Sequence, residues 1–177
     1  MSGHLGGVGS RSGILGQTEQ GQYEVDSWRY TGTAAGNFSP ISSSLERTDA
    51  NAFTKIGAGM SHSSGIFSYP STGLWAVSFE WYGYSTGNNR YIFANIMSSH
   101  NTGSDWFSMA VGKTQISDIG EYGHNSCFAR GFISVTDIST FRTKFNIDVD
   151  ASGTAVNTQG SSGENNTSML FERLANI

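Results

Sequence analysis

Asp148, Asp150, Ser152 and Gly153 set oxygen-bearing side chains at alternate positions ahead of a glycine, as the opening of a calcium loop does. The twelfth position of such a loop needs a bidentate Glu and here is Gln159, so the stretch reads as a strand running into an Asp/Ser/Gly turn. His4, His62, His100 and His124 lie far apart, none at the close spacing of a zinc pair. Ser61-His62-Ser63 sets nucleophile and base types side by side, but neighbours on an extended chain point to opposite faces and do not share a proton. Gly112-Lys113-Thr114 imitates the end of a phosphate loop, yet Phe107 stands where its first glycine belongs and no helical pattern follows. Gly7-Val8-Gly9 lacks the preceding strand of a dinucleotide fingerprint. Asp105, Asp118, Glu121 and Asp137 fall near turns without a readable pairing. With Cys127 as the one cysteine, neither an intrachain disulfide nor a cysteine zinc frame can form. The expectation is a chain without catalytic residues, metal or cofactor, and not an enzyme.

Aromatic rings beside polar loops carry a different chemistry. Tyr84 precedes the Ser-Thr-Gly-Asn-Asn run at 85–89, and Trp106 follows His-Asn-Thr-Gly-Ser-Asp at 100–105. Flat rings so placed can stack on sugars, which makes Tyr84 and Trp106 candidate glycan contacts. The plainer reading puts such rings in the core or between subunits, because large aromatics carry much of a β-core's burial.

The elements that must position these residues follow from composition. The 177 residues (19.0 kDa) suffice for one domain plus an arm. Charged residues make up 14% and the net charge is −4, so no basic face able to neutralise many phosphates is expected and nucleic acid is excluded as a partner. Apolar runs are far shorter than the roughly 20 residues needed to cross a bilayer. The N-terminus lacks the apolar middle of a secretory signal, so no membrane association is expected. Twenty-three Gly against 2 Pro favour short strands and turns, and 11 Phe, 7 Tyr and 4 Trp supply a core.

Residues 1–22 hold isolated aliphatics (Leu5, Val8, Ile14, Leu15) among glycines and read as an extended anchoring arm whose ordering waits for docking. Residues 23–177 read as a β-sandwich domain. Tyr23, Val25, Trp28 and Tyr30 suggest a first strand, stopped by a turn at 32–36; 52–56 and 64–69 are short candidates. In 73–84, Trp75, Val77, Phe79 and Trp81 share one face. In 90–98, Tyr91, Phe93 and Met97 oppose Ile92, Ala94 and Ile96, so the strand is expected to be buried on both sides or to lie at a subunit contact. Segments 106–112 and 126–135 continue the series. Phe141, Thr143, Phe145, Ile147 and Val149 alternate with polar residues in 140–150, 151–166 reads as turns, and 167–175 as a closing strand. About eight strands at this spacing suit a sandwich or jelly roll.

The run from Gly65 to Phe79, with Gly65-Ile66-Phe67, Pro70, Gly73 and then Trp75, Val77 and Phe79, resembles the signature of trimeric jelly rolls of the tumour-necrosis-factor-like class, which includes the heads of the first complement component. The likeness spans roughly residues 50–177, and it implies an all-β, antiparallel jelly roll associating as a homotrimer. Met1 to Ile14 and Gln22 to Trp28 resemble the N-terminal pieces of small virion proteins of tailed marine bacteriophages, in which a short arm mounts a β-domain on the particle. Val25-Asp26-Ser27-Trp28 replaces the Glu-Gly-Thr-Trp turn of that pattern.

Together these resemblances imply a non-enzymatic virion protein, assembled in the host cytoplasm. It is expected to be a trimeric capsid decoration or cement protein, or a head fibre, fixed to the major capsid or tail protein by its arm. The alternative is a tail-fibre or tail-tip protein that binds a receptor or a host surface glycan. Trp75, Phe79, Trp81, Tyr91, Phe93 and Phe145 are expected in trimer or core contacts, with the Trp75/Trp81 region and the strand from Tyr91 to Met97 near the axis.

Overall fold

The computed structural model describes residues 23–49, 53, 55–117, 119–150 and 155–177. The arm residues Leu5, Val8, Ile14 and Leu15 lie outside the described residues. In chain order the strands are β1 (Glu24–Tyr30), β2 (Thr33–Ala35), β3 (Leu45–Arg47), β4 (Ser61–Ser63), β5 (Ile66–Ser68), β6 (Gly73–Ser85), β7 (Asn89–Ser99), β8 (Phe107–Ile116), β9 (Gly123–Val135), β10 (Arg142–Val149), β11 (Asn157–Gln159) and β12 (Ser168–Ala175). No helix occurs among the described residues. The first sheet runs β3-β1-β12-β6-β9, with β11 and β2 continuing beside the far end of β6; the second runs β4-β5-β10-β7-β8.

Period-two alternation builds the core between the sheets. Trp75, Val77, Phe79 and Trp81 of β6, Phe171 of β12, and Ile92, Ala94 and Ile96 of β7 are wholly enclosed. Phe145 and Ile147 of β10, which pairs with β7 in the second sheet, complete the layer facing β6 and β12. Burying each such side chain contributes about 1.5 to 3 kcal/mol, which is why the alternation fixes the register. The tryptophan N–H groups find acceptors, Trp81 Nε1 on Thr158 Oγ1 (2.8 Å) and Trp75 Nε1 on the Ser71 carbonyl (3.2 Å).

Several local expectations are corrected. The presumed turn at 32–36 contains β2, and the presumed turn region 151–166 contains β11, which pairs with β2 and β6. These three-residue strands are made by backbone pairing at the end of a long strand, so they leave little side-chain periodicity. Of the candidate strand 52–56, Ile56 makes only an isolated bridge to Val25, after which Gly57 turns away at φ +81°; Ala52 and Thr54 lie outside the described residues. β8 continues past Gly112 to Ile116, because the small residue is needed there: a Cβ on Gly112 would stand 2.7 Å from the Phe128 carbonyl oxygen, where β9 passes close by. Trp75 and Trp81 do not await a subunit axis, since their faces of β6 point into the single-chain core.

At one corner a charged network replaces apolar packing. Asp26, 1% exposed, accepts from Arg47 Nε (2.8 Å) and Nη2 (3.1 Å), Trp28 Nε1 (3.0 Å) and the Met60 amide (2.7 Å). Arg47 also donates to the Met60 carbonyl at 2.6 Å and lies 4.5 Å over the Trp28 ring. The fork ties β3 and the approach to β4 onto β1. Beyond it, Ser64 and Gly65 (φ 49° and 76°) form the two-residue turn of the β4–β5 hairpin.

Candidate functional site

On the face of the first sheet that points away from the core, register brings together residues distant in sequence. One row reads Ser27, Leu170, Ser78, Arg130, and the next Arg29, Ser168, Glu80, Phe128. A third reads Val25, Glu172, Ala76, Phe132. Ser27, Ser78 and Ser168 keep part of this face low between longer side chains, while β9 raises Phe128 and Phe132, 58% and 60% exposed, along one side. The result is a trough of about 420 Å³ whose lining includes Ser27, Ser78, Leu170 and Phe128, with Thr48 and Phe53 opposite. Thr48 Oγ1 shares a 3.1 Å hydrogen bond with Ser27 Oγ and donates to Asn165 Oδ1 at 3.2 Å. Arg29, buried beneath, is held by Glu46 and Asp49, each at 3.1 Å. Across the ridge Arg130 pairs with Glu172 at 2.9 Å.

The ridge has a local cause. On β9 the inward residues Cys127, Ala129 and Gly131 are small, because β8 closes on the strand's backbone there, and the large residues Phe128, Arg130 and Phe132 stand outward. This inverts the usual arrangement of a half-buried strand. It is the signal in the sequence by which the ridge could have been found. The trough could not have been found so, since its floor is assembled from four separate strands.

Tyr91 and Phe93 stack at 4.8 Å on the outer face of the second sheet, Lys113 lies 5.1 Å over Phe93, and Tyr91 remains 37% exposed. One side of β7 is therefore open in the single chain rather than buried on both. The candidate glycan residues do not meet. Tyr84 contacts Tyr122 (5.2 Å) and His124 (5.4 Å) at the end of the first sheet beside the start of β7. Trp106 precedes β8, whose Phe107 pairs with Ser98 at the other end of β7, roughly 30 Å away by strand rise. The Lys144 ammonium covers the Trp106 ring at 4.3 Å, and burial lowers the Lys144 pKa.

The remaining chemistry-bearing residues stay dispersed. His62 turns inward on β4 between Trp28 (4.9 Å) and Phe67 (5.2 Å), while His100 stacks on Phe107 (5.6 Å). His124 Nδ1 meets the Tyr82 hydroxyl at 3.0 Å, and His4 lies outside the described residues. Asp148 accepts from Asn95 (2.7 Å) and Asp150 pairs with Arg90 (2.8 Å); Ser152 and Gly153 lie outside the described residues. Asp105 accepts from Asn101 Nδ2, and Asp137 caps Ser139, whose hydroxyl and amide hold its pKa down; Asp118 lies outside the described residues. Burial pushes the Cys127 thiol up to about 11. Among the described residues no three of His, Cys, Asp and Glu gather as a metal site.

No protein-family model matches the sequence, and no curated protein matches it. Solved structures do. Murine APRIL is similar with a TM-score of 0.59 at 10% identity, over 86% of this chain and 99% of that chain. Eiger, a TNF of S. frugiperda, is similar with a TM-score of 0.61 at 10% identity, over 87% of this chain and 94% of that one. Likeness at 10% identity speaks to architecture, and it agrees with the two antiparallel sheets described above: the chain is an all-β sandwich with the TNF-like jelly-roll fold.

Proposed function

We propose that this chain is a non-enzymatic structural protein of a bacteriophage particle, a homotrimer of jelly rolls that decorates or cements the capsid, or forms a head fibre, and is fixed to the major capsid or tail protein by its N-terminal arm. The observation that carries the self-association is an exposed aromatic ridge and an open trough on one sheet face. The Phe128/Phe132 ridge of one copy fills the trough of the next. Ridge and trough lie side by side on one face, so closing three copies requires each copy to offer its ridge to one neighbour and its trough to the other. Exposed apolar area of this kind marks an association surface. The number three and the placement on a particle rest on the sequence resemblances of residues 65–79 and of the N-terminal segment.

Sedimentation is expected to give three times the 19.0 kDa chain mass. Phe128→Ser combined with Phe132→Ser is expected to give a monomer with unchanged far-ultraviolet circular dichroism. A stable wild-type monomer sinks the assembly. Deleting residues 2–16 is expected to leave a folded trimer that no longer joins particles stripped of it; attachment at wild-type occupancy refutes the arm. The exposed rings of Tyr122 and His124 beside a half-buried Tyr84 favour, as a second reading, a receptor- or glycan-binding tip. Specific retention on host polysaccharide, with none on stripped capsids, decides for it.

A further inference from the structure

We propose that His62 is an acid-sensitive latch, whose protonation unseats β4 from Trp28 and opens the corner where β3 and β4 meet β1. The imidazole stands perpendicular to the Trp28 indole (4.9 Å, 90°) and against Phe67 (5.2 Å, 38°), and its Nδ1 is buried without a hydrogen-bond partner. A neutral ring tolerates such a site. An imidazolium must place an N–H donor there with no acceptor, so the Nδ1–H is desolvated without compensation in a ring that is itself partly buried.

The surrounding charges offer no relief. From β3, Arg47 lies over the same indole at 4.5 Å and repels a second cation. On β1, the Asp26 carboxylate bonds the same indole, but its two oxygens already accept four hydrogen bonds, from Arg47 twice, Trp28 and Met60. Glu24, further along β1, accepts from Ser71 on Oε1, and its unpartnered Oε2 lies beside Gly57. On β5, the residue paired with His62 is Phe67. The latch is also cheap to open: β4 has three residues and, among the described residues, lies at the edge of its sheet and pairs with β5 alone.

Burial, and then the Arg47 charge, hold the His62 pKa below the ordinary imidazole value of 6.5. The sign follows: with the folded-state pKa below the unfolded one, the corner is fully stable above the unfolded value, and stability is lost as pH falls through the folded one. The latch belongs to a single chain and does not depend on the proposed assembly.

The test is nuclear magnetic resonance on the full chain from about pH 7.5 to about pH 5. The Trp28 indole N–H and the Met60 amide, both bound to Asp26, are expected to lose protection from hydrogen exchange by about tenfold or more after correction for intrinsic rates, while amides of β6 and β9 hold theirs. His62→Phe is expected to fold and to lack this step. Persistence of the step in His62→Phe overturns the latch. So does a wild-type His62 ring that titrates at the ordinary imidazole value while the Trp28 indole signal stays still, a reading that needs no variant.

Discussion

Phe145→Ala is expected to destabilise the protein by about 3 to 5 kcal/mol, with Phe79→Ala in the same range. Phe145 is 1% exposed and its ring touches Phe67 (5.6 Å), Phe79 (5.1 Å) and Phe171 (5.7 Å), so it joins β10 of one sheet to β6 and β12 of the other. Removing it loses transfer free energy and leaves a void that stiff aromatic neighbours on two hydrogen-bonded sheets fill poorly. Phe132, 60% exposed in the single chain, supplies the contrast: Phe132→Ala is expected to leave the chain's own stability within about 0.5 kcal/mol. Urea titrations with unchanged slope read both. A near-neutral Phe145→Ala contradicts the register of β10.

Asp26→Ala is expected to cost a similar amount, about 3 to 5 kcal/mol, for a different reason. The loss is dominated by what stays behind: the Arg47 guanidinium, the Trp28 indole N–H and the Met60 amide, all without their acceptor. The diagnostic is the double variant. Asp26→Ala with Arg47→Leu removes both charges and is expected to be more stable than Asp26→Ala alone, because a partly buried guanidinium without its carboxylate costs more than an absent pair. If the double variant is the less stable by the sum of the single effects, the two residues do not act as a unit.

The fold was legible where strands are long and half buried. Trp75 to Trp81 and Phe141 to Val149 alternate so plainly that their inward faces follow from period two alone, and the structure encloses those side chains, apart from a half-buried Phe141. Legibility failed where side chains do not decide. β2, β3 and β11 are three-residue pieces recruited to the edge or end of longer strands, and Thr158 of β11 is buried through its bond to Trp81 rather than through any apolar pattern. In 52–56 the apolar residues suggested a strand, but Ile56 stays 52% exposed and bridges one residue only. The candidate site was half legible. The outward Phe128 and Phe132 opposite small inward residues could be read from one strand, whereas Ser27, Ser78 and Ser168 become a floor only once β12 lies between β1 and β6.

That last arrangement bears on synthesis. β12 is the last of the described strands, yet among them it alone links β1 to β6. On the ribosome β6 and β9 can pair once Val135 has emerged, while β1, with Trp28 and Tyr30, has the short β3 and the Val25–Ile56 bridge to lean on until Ala175 is out. At about 5 to 20 residues per second the nascent chain spends a few seconds with both edges of that gap uncovered. The first sheet can close only after β12 has been made, and until then the facing edges of β1 and β6 stay open to chaperones.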